Sequence, residues 1–363
     1  MESTQSPMSD QWIPSDELTM ALKHHAVDLG FEAVGIVAAQ EATTYAPFLR
    51  WLEKGHAGEM KYLNRRREAY QHPDGVLPGC KSLVMLLVSY KQPDRSTDRS
   101  GHGKVAAYAC SGIDYHDQIR QQLRQLSDWL KRMEPSARCR GAVDTAPLLE
   151  RDFARLAGLG WIGKNTMLIH PKLGSYTFIA ALLTDLELKP DAPFATQHCG
   201  TCRACLDACP TQAFPAPYQL DATRCISYWT IESRSVAPES LRPALGDWVW
   251  GCDICQEVCP WNRKPIPSQT DWLQGVPTVR YSDLADLLSI DETTFTRRFA
   301  NSPMLRAGWS GVVRNAALAA GNQKLLSAKT LLTEQLKYSH PDCTQEAIRW
   351  ALGRIDDSHS QEA

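Results

Sequence analysis

The sequence contains no run of 18 apolar residues, which leaves no candidate for a membrane-spanning helix. Its first stretch, Met1 to Pro14, is polar and lacks the apolar centre of a secretory signal, so the expectation is a cytoplasmic protein. Net charge is only −2, so no global field draws the chain onto nucleic acid, and any such binding must use a local patch. No Gly-x-Gly-x-x-Gly follows a strand-like run, which removes the dinucleotide fingerprint, and no His-Glu-x-x-His pattern offers a helical metal site. Charged residues make up 22% and apolar ones 43% of the 363 positions, a balance that excludes a disordered chain and allows two to three domains.

Cysteine is what the sequence has in excess. There are twelve, and eight fall between Cys199 and Cys259. A secreted disulfide scaffold is short and spreads its cysteines; clustering inside a long chain points to metal ligation. The first run, Cys199-x2-Cys202-x2-Cys205-x3-Cys209-Pro210, has the bacterial ferredoxin spacing, in which the fourth cysteine serves the other cluster. The second run, Cys252-x2-Cys255-x3-Cys259-Pro260, has Val249 where its first cysteine belongs. Cys225 lies between the runs and completes a set of eight. The crossing rule gives one [4Fe–4S] cluster to Cys199, Cys202, Cys205 and Cys259, and the other to Cys209, Cys225, Cys252 and Cys255. Structural zinc is the alternative, but it has no use for the prolines that follow Cys209 and Cys259. The remaining Cys80, Cys110, Cys139 and Cys343 read as small buried hydrophobes.

Around these runs the pattern alternates. Residues 15–30 predict a helix with Ser15 as N-cap and Gly30 as stop. Strands are expected at 31–38, at 82–90 (covered on both faces), at 141–143 and at 175–184. Apolar residues from Ile119 to Met133 recur at helical spacing. The expectation is therefore an α/β domain over 1–190, a ferredoxin-like two-cluster domain over 191–265, and a helical, HEAT-like region over 266–363 with a break at Gly321-Asn322. A relay of two clusters needs far less chain, so the front domain should hold a second redox centre.

The whole sequence resembles the epoxyqueuosine reductases, cobalamin-dependent iron–sulfur enzymes of tRNA queuosine synthesis. The resemblance rests on Gly58-Glu-Met-Lys-Tyr-Leu-Asn-Arg65, Asp114-Tyr115-His116, Val143-Asp144-Thr-Ala-Pro147-Leu-Leu-Glu-Arg151 and Gly158-Leu-Gly-Trp-Ile-Gly-Lys164-Asn165. It continues through the cysteine runs with Arg224-Cys225-Ile-Ser227-Tyr228, Gly251-Cys252-Asp253-Ile-Cys255-Gln256 and Cys259-Pro260-Trp261-Asn262-Arg263. It implies base-off cobalamin in the α/β domain against the ferredoxin insert, with the clusters reducing cobalt to Co(I). The implied reaction is reduction of epoxyqueuosine to queuosine in the tRNA anticodon loop, by a monomer fed from an external flavodoxin- or ferredoxin-type donor.

The resemblance also assigns residues. Asp144, which alone reads as a helix N-cap ahead of Pro147, becomes the proton donor and a cobalamin contact, with a carboxyl that burial would hold protonated. Arg65, Cys110, Lys164, Asn165, Ser227 and Asp253 become cobalamin contacts; alone they read as a solvated charge, a core thiol, a turn and neighbours of ligand cysteines. Lys164 and Asn165 lie in a Gly-rich loop that would let backbone approach a planar cofactor. Without any family knowledge, one charge feature stands out: no acidic residue occurs between Glu292 and Glu334, while Arg297, Arg298, Arg306, Arg314, Lys324 and Lys329 do. This predicts tRNA backbone contacts from Arg297, Arg298 and Arg314, against the plainer reading of solvated helix faces. The competing functions are a corrinoid reductive dehalogenase-like enzyme and a non-catalytic ferredoxin-type carrier, which leaves the first 190 residues without a task.

Overall fold

The computed structural model describes residues 15–91, 100–111, 113–263, 268, 270–273 and 280–360. The polar stretch Met1–Pro14, Gly112 of the Asp114 motif and the expected boundary at 265/266 lie outside the described residues. Among these residues no helix is long and apolar enough to cross a membrane.

The front domain carries strands β1 (Ala33–Ala38), β2 (Ser82–Ser89), β3 (His102–Val105), β4 (Cys139–Ala142), β5 (Trp161–Ile162), β6 (Leu168–Ile169) and β7 (Thr177–Thr184). Its helices are α1 (Ser15–Asp28), α2 (Tyr45–Glu53), α3 (Lys61–Arg65), α4 (Tyr115–Met133) and α5 (Glu150–Leu156). Four strands form a sheet in the order β1-β2-β7-β4, antiparallel at every pairing. All eight positions of β2 are buried, as the apolar run predicted. Strand alternation explains how: Val84, Leu86 and Val88 face the core under α1 and α4 with Leu22, Ile119 and Leu126. Leu83, Met85 and Leu87 face the other side, against Phe153, Ala154 and Leu156 of α5. Gly35 of β1 is small because the chain leaving α5 crosses it; a Cβ there would lie 2.1 Å from the Ala157 carbonyl oxygen.

The cysteine-rich segment has two one-turn helices, α6 (Ala204–Asp207) and α7 (Ile254–Glu257), and strand β8 (Trp248–Trp250). β8 runs parallel to β3, and β3 pairs antiparallel with β9 (Tyr281–Asp283). One small sheet thus takes a strand from before, within and after the cysteine runs, so the three expected regions are tied by backbone hydrogen bonds.

The C-terminal region contains α8 (Leu284–Ser289), α9 (Glu292–Arg298), α10 (Gly308–Asn322), α11 (Lys329–Gln335) and α12 (Asp342–Ser360). Helix α10 is its centre, buried from Val312 to Gly321. The expected break at Gly321-Asn322 falls slightly later: α10 includes both residues and the chain turns at Lys324, whose φ is 50°. Gly321 serves packing instead, since a Cβ would lie 2.8 Å from Ala351 Cα on α12. Polar side chains of α10 then tie the region to the rest. Asn315 donates to the carbonyls of Thr230 (2.8 Å) and Val249 (2.9 Å), and Asn322 to those of Arg242 and Gly246.

Candidate active site and cluster-binding loops

The eight cysteines of the two runs and Cys225 sort into two groups in space. Cys205 lies within electrostatic reach of Cys199, Cys259 and Cys202, and Cys259 within reach of Cys199 and Cys202. Cys252 is near Cys225 and Cys255, and Cys225 is near Cys209. Cys255 senses Cys225, Cys205 and Cys209, so the two groups adjoin. Burial, with neighbouring sulfurs, pushes the Cys205 thiol up to about 11 and raises Cys225, Cys252, Cys255 and Cys259 as well. Such thiols ionise only against a compensating positive charge, which bound iron provides. Among the described residues, no three His, Cys, Asp or Glu side chains converge tightly enough to hold one metal ion.

The loop after β4 carries Asp144. Its φ is 55°, a left-handed conformation rare for a residue with a side chain. No helix starts there, so the capping reading fails. Helix α5 begins at Glu150, and Glu150 reaches back: its Oε1 accepts the Asp144 backbone N–H at 3.0 Å. The Asp144 carboxylate accepts the Tyr115 hydroxyl and lies 3.6 Å from His116 Nε2. Asp114 caps α4 through the His116 N–H and also holds His116 Nδ1 at 2.7 Å. Tyr115 is fixed by stacking on Phe178, with ring centroids 4.0 Å apart. Arg306, from the C-terminal region, comes within 3.4 Å of His116 Nε2 and 3.7 Å of Glu232. The Asp114-Tyr115-His116 motif thereby gains a physical reason: it caps a helix and grips the Asp144 loop.

Asp144 faces a cavity of about 240 Å³ walled by Tyr90, Tyr108, Tyr115, Met167, Ser175 and Phe178. The Tyr108 hydroxyl accepts Trp250 Nε1–H at 2.9 Å, which ties this wall to β8. A second cavity of about 480 Å³ shares Glu150 and Arg151 with the first and extends past Leu63, Trp51 and Thr166 to Tyr218–Leu220 of the insert. Burial, with Asp144 beside it, lifts the Glu150 carboxyl well above the ordinary carboxylate range.

The other implied contacts are spread unevenly. Lys164 Nζ donates to the carbonyls of Gly200 (2.6 Å) and Cys202 (2.8 Å), holding the first cysteine loop. Buried Asn165 points toward the Cys255 carbonyl at 3.4 Å. Ser227 hydrogen-bonds Cys225 and precedes a π-helical turn, Tyr228–Glu232. Asp253 is buried in an ion pair with Arg280 (2.9 Å) and accepts the Ala107 N–H at 2.7 Å. Cys110 is buried, its thiol aimed at the carbonyls of Val105 and Ala106. Cys80 is also buried, whereas Cys139 and Cys343 are only partly so, a correction to the plain core reading of those two. Arg65 is exposed beside the cavity-lining Leu63, and it is Arg66 that reaches the Thr145 carbonyl, at 3.4 Å. The glycines of the Lys164 loop have an internal cause: Cβ atoms at Gly160 and Gly163 would strike Ile169 of β6.

The basic C-terminal run is not a patch in space. Arg297 is exposed, but Arg298 pairs with Asp286 and Lys329 with Asp356. Arg314 is a plain correction: it is 3% exposed and spends its guanidinium on the carbonyls of Ser233, Ser235 and Trp229. No phosphate reaches it in this arrangement.

An α/β domain with a carboxylate-bearing cavity, set against a segment with two cysteine quartets, defines an iron–sulfur oxidoreductase. A 4Fe-4S double cluster binding domain model matches residues 198–262, and the model for epoxyqueuosine reductase QueG, DUF1730, matches residues 71–145. The epoxyqueuosine reductase of Pseudomonas aeruginosa is 38% identical over 359 residues, covering 97% of this chain and 99% of that protein. That of Escherichia coli is 35% identical over 346 residues, covering 93% of this chain and 90% of that protein. An epoxyqueuosine reductase solved with an epoxyqueuosine-modified tRNA-Tyr stem loop superposes with a TM-score of 0.85 at 31% identity, covering 95% of this chain and 92% of that chain. The Bacillus subtilis enzyme, solved with its catalytic aspartate loop swung out of the active site, gives 0.83 at 30% identity, covering 95% of this chain and 92% of that chain. The chain belongs to the epoxyqueuosine reductase family.

Proposed function

We propose that the chain reduces epoxyqueuosine to queuosine in the tRNA anticodon loop, with Asp144 as proton donor, two [4Fe–4S] clusters as electron relay and a cobalamin between them. The observation that carries this reading is Asp144 itself: its backbone is left-handed with its N–H held by Glu150, and its partly exposed carboxylate accepts the Tyr115 hydroxyl at the mouth of a tyrosine-walled cavity beside the second cysteine quartet. A left-handed aspartate costs about 1–3 kcal/mol and persists where a site requires it. The aspartate loop that moves in the Bacillus subtilis relative supports the same role for Asp144.

The cavities suit a cobalamin. The cavities of about 240 and 480 Å³ share Glu150 and Arg151 in their walls. Their walls supply flat apolar contacts from Phe48, Trp51 and Leu148, with Arg50, Lys54, His56 and Arg151 for polar edges. Bound base-off, as the family resemblance implies, it would supply a Co(I) nucleophile. Arg65, Cys110, Lys164, Asn165, Ser227 and Asp253 are proposed around it, Lys164, Asn165 and Ser227 on the side of the cluster loops.

Opening an epoxide to an alkene and water consumes two electrons and two protons. The quartet Cys199, Cys202, Cys205, Cys259 and the quartet Cys209, Cys225, Cys252, Cys255 would each hold a cluster, which would supply electrons one at a time. Asp144 gives a proton to the departing oxygen, and Tyr115 and His116 orient its carboxyl. For the RNA, Arg297 and Arg298 stay as proposed backbone contacts, and Arg66 and Arg306 flank the Asp144 loop. The protein works as a monomer in the cytoplasm. Anaerobic purification should give about eight irons and one cobalt per chain. Zinc near two with iron near zero would sink the proposal.

A further inference from the structure

Resting on the two-cluster reading above, we propose that the solvent face around Cys202 docks an acidic one-electron carrier protein, which loads the relay through the quartet of Cys199, Cys202, Cys205 and Cys259. Of the eight candidate ligands, Cys202 is the exposed one; the other seven are buried or half-buried. Its whole loop, Gly200 to Arg203, is open to solvent.

The other quartet adjoins the Asp144 cavity. Tyr90 lies close enough to Cys255 to feel its charge, and the same Tyr90 walls the Asp144 cavity. Gln256, next to Cys255, accepts the Ser175 hydroxyl at 2.9 Å in that wall. The relay therefore has one outer and one inner end.

Charge and shape select the partner. Lys164 Nζ lies over the Gly200 and Cys202 carbonyls, and exposed Arg263 follows two residues after Trp261, whose ring packs on His198. Arg203 pairs only with Asp207, at 3.2 Å and 62% exposed on both sides, an arrangement worth little in water. Two aromatic rings frame the loop. Trp261 is 36% exposed and packs on His198 beside Cys199, and Tyr218 is 46% exposed, with its N–H on the Lys164 carbonyl at 2.9 Å. Arginines with exposed aromatics are what transient interfaces favour, and a cationic rim steers an acidic partner. In each encounter the reduced flavin of the carrier goes from hydroquinone to semiquinone and one cluster gains the electron. Two encounters supply the two electrons that one epoxide consumes.

The test mixes hydroquinone flavodoxin with the cluster-loaded protein in an anaerobic stopped-flow, following the bleaching of cluster absorption. The variant is Arg203→Glu with Arg263→Glu. At low ionic strength its reduction should slow by about tenfold or more, and the difference should vanish at high salt. Photoreduced deazaflavin, which needs no docking, should bleach variant and wild type alike, and affinity for the tRNA stem loop should stay the same. An unchanged flavodoxin rate at low salt would overturn the proposal. So would a loss of tRNA affinity with the flavodoxin rate intact, which would make the face an RNA surface. No bleaching by deazaflavin even in the wild type would remove the two-cluster reading itself.

Discussion

Replacing Arg314 by methionine separates what the sequence suggested from what the structure shows. The guanidinium donates to Ser233 (2.9 Å), Ser235 (2.8 Å) and Trp229 (2.7 Å), and Nε to Asn315 Oδ1 at 3.1 Å. Arg314→Met keeps the length of the stem and abandons three carbonyls, that of buried Ser233 among them. At the lower end of about 1 kcal/mol for each unpaired acceptor, the loss is about 3 kcal/mol. Unfolding entropy grows with chain length, so over 363 residues each kcal/mol costs about 1.3 °C in melting temperature, and the midpoint should fall by about 4 °C. The carbonyls belong to the turn that follows Cys225, so the quartet containing Cys225 should also lose iron sooner on warming. Anaerobic thermal unfolding followed by circular dichroism and cluster absorbance reads both effects. Affinity for a tRNA stem loop, measured well below the transition, should stay near wild type. A normal melting curve with tenfold weaker RNA binding would refute this reasoning and return Arg314 to the surface role.

Two further outcomes follow from single residues. Cys225→Ser should assemble the cluster of Cys199, Cys202, Cys205 and Cys259 and damage the other, seen as roughly half the iron; full iron content would show that Cys225 is not a ligand. Burial, helped by Lys172, pushes the His170 imidazole down from 6.5 to about 4, where its Nδ1 accepts the N–H groups of Lys172 and Leu173. The unfolded chain binds a proton between those values that the folded chain refuses, so this contribution to stability is complete above pH 6.5 and drains away toward pH 4. Denaturant unfolding across that range should show a shallower pH slope in His170→Asn, and an unchanged slope would contradict it.

Local chemistry was legible in the sequence. Ligand spacing is local, so the two-cluster segment could be placed between Cys199 and Cys259, where the 4Fe-4S double cluster model matches. The strand at 82–90 was legible because an unbroken apolar run has no other use. What escaped was non-local. The charge run from Arg297 to Lys329 looked uncompensated, yet Asp286 and Asp356 come from outside it, and the carbonyls that occupy Arg314 lie about eighty residues away. The sheet of β3, β8 and β9 joins segments from 102 to 283 and blurs the expected domain edges. Asp144 looked like a cap because Pro147 follows it. The left-handed φ at Asp144 and the reach of Glu150 back to its N–H delay the helix to Glu150, and neither is written in the local pattern.

The central claim is that Asp144 supplies a proton to an epoxide on tRNA. Asp144→Asn keeps the shape of the side chain and its contact with Tyr115 but offers no acidic proton. The direct measurement is mass spectrometry of epoxyqueuosine-modified tRNA stem loop after anaerobic incubation with each protein, both checked for full iron and cobalamin. Wild type should convert the epoxide to the alkene, a loss of one oxygen, and Asp144→Asn should do so about 10²–10⁴-fold more slowly. Equal conversion rates at equal cofactor content would contradict the account.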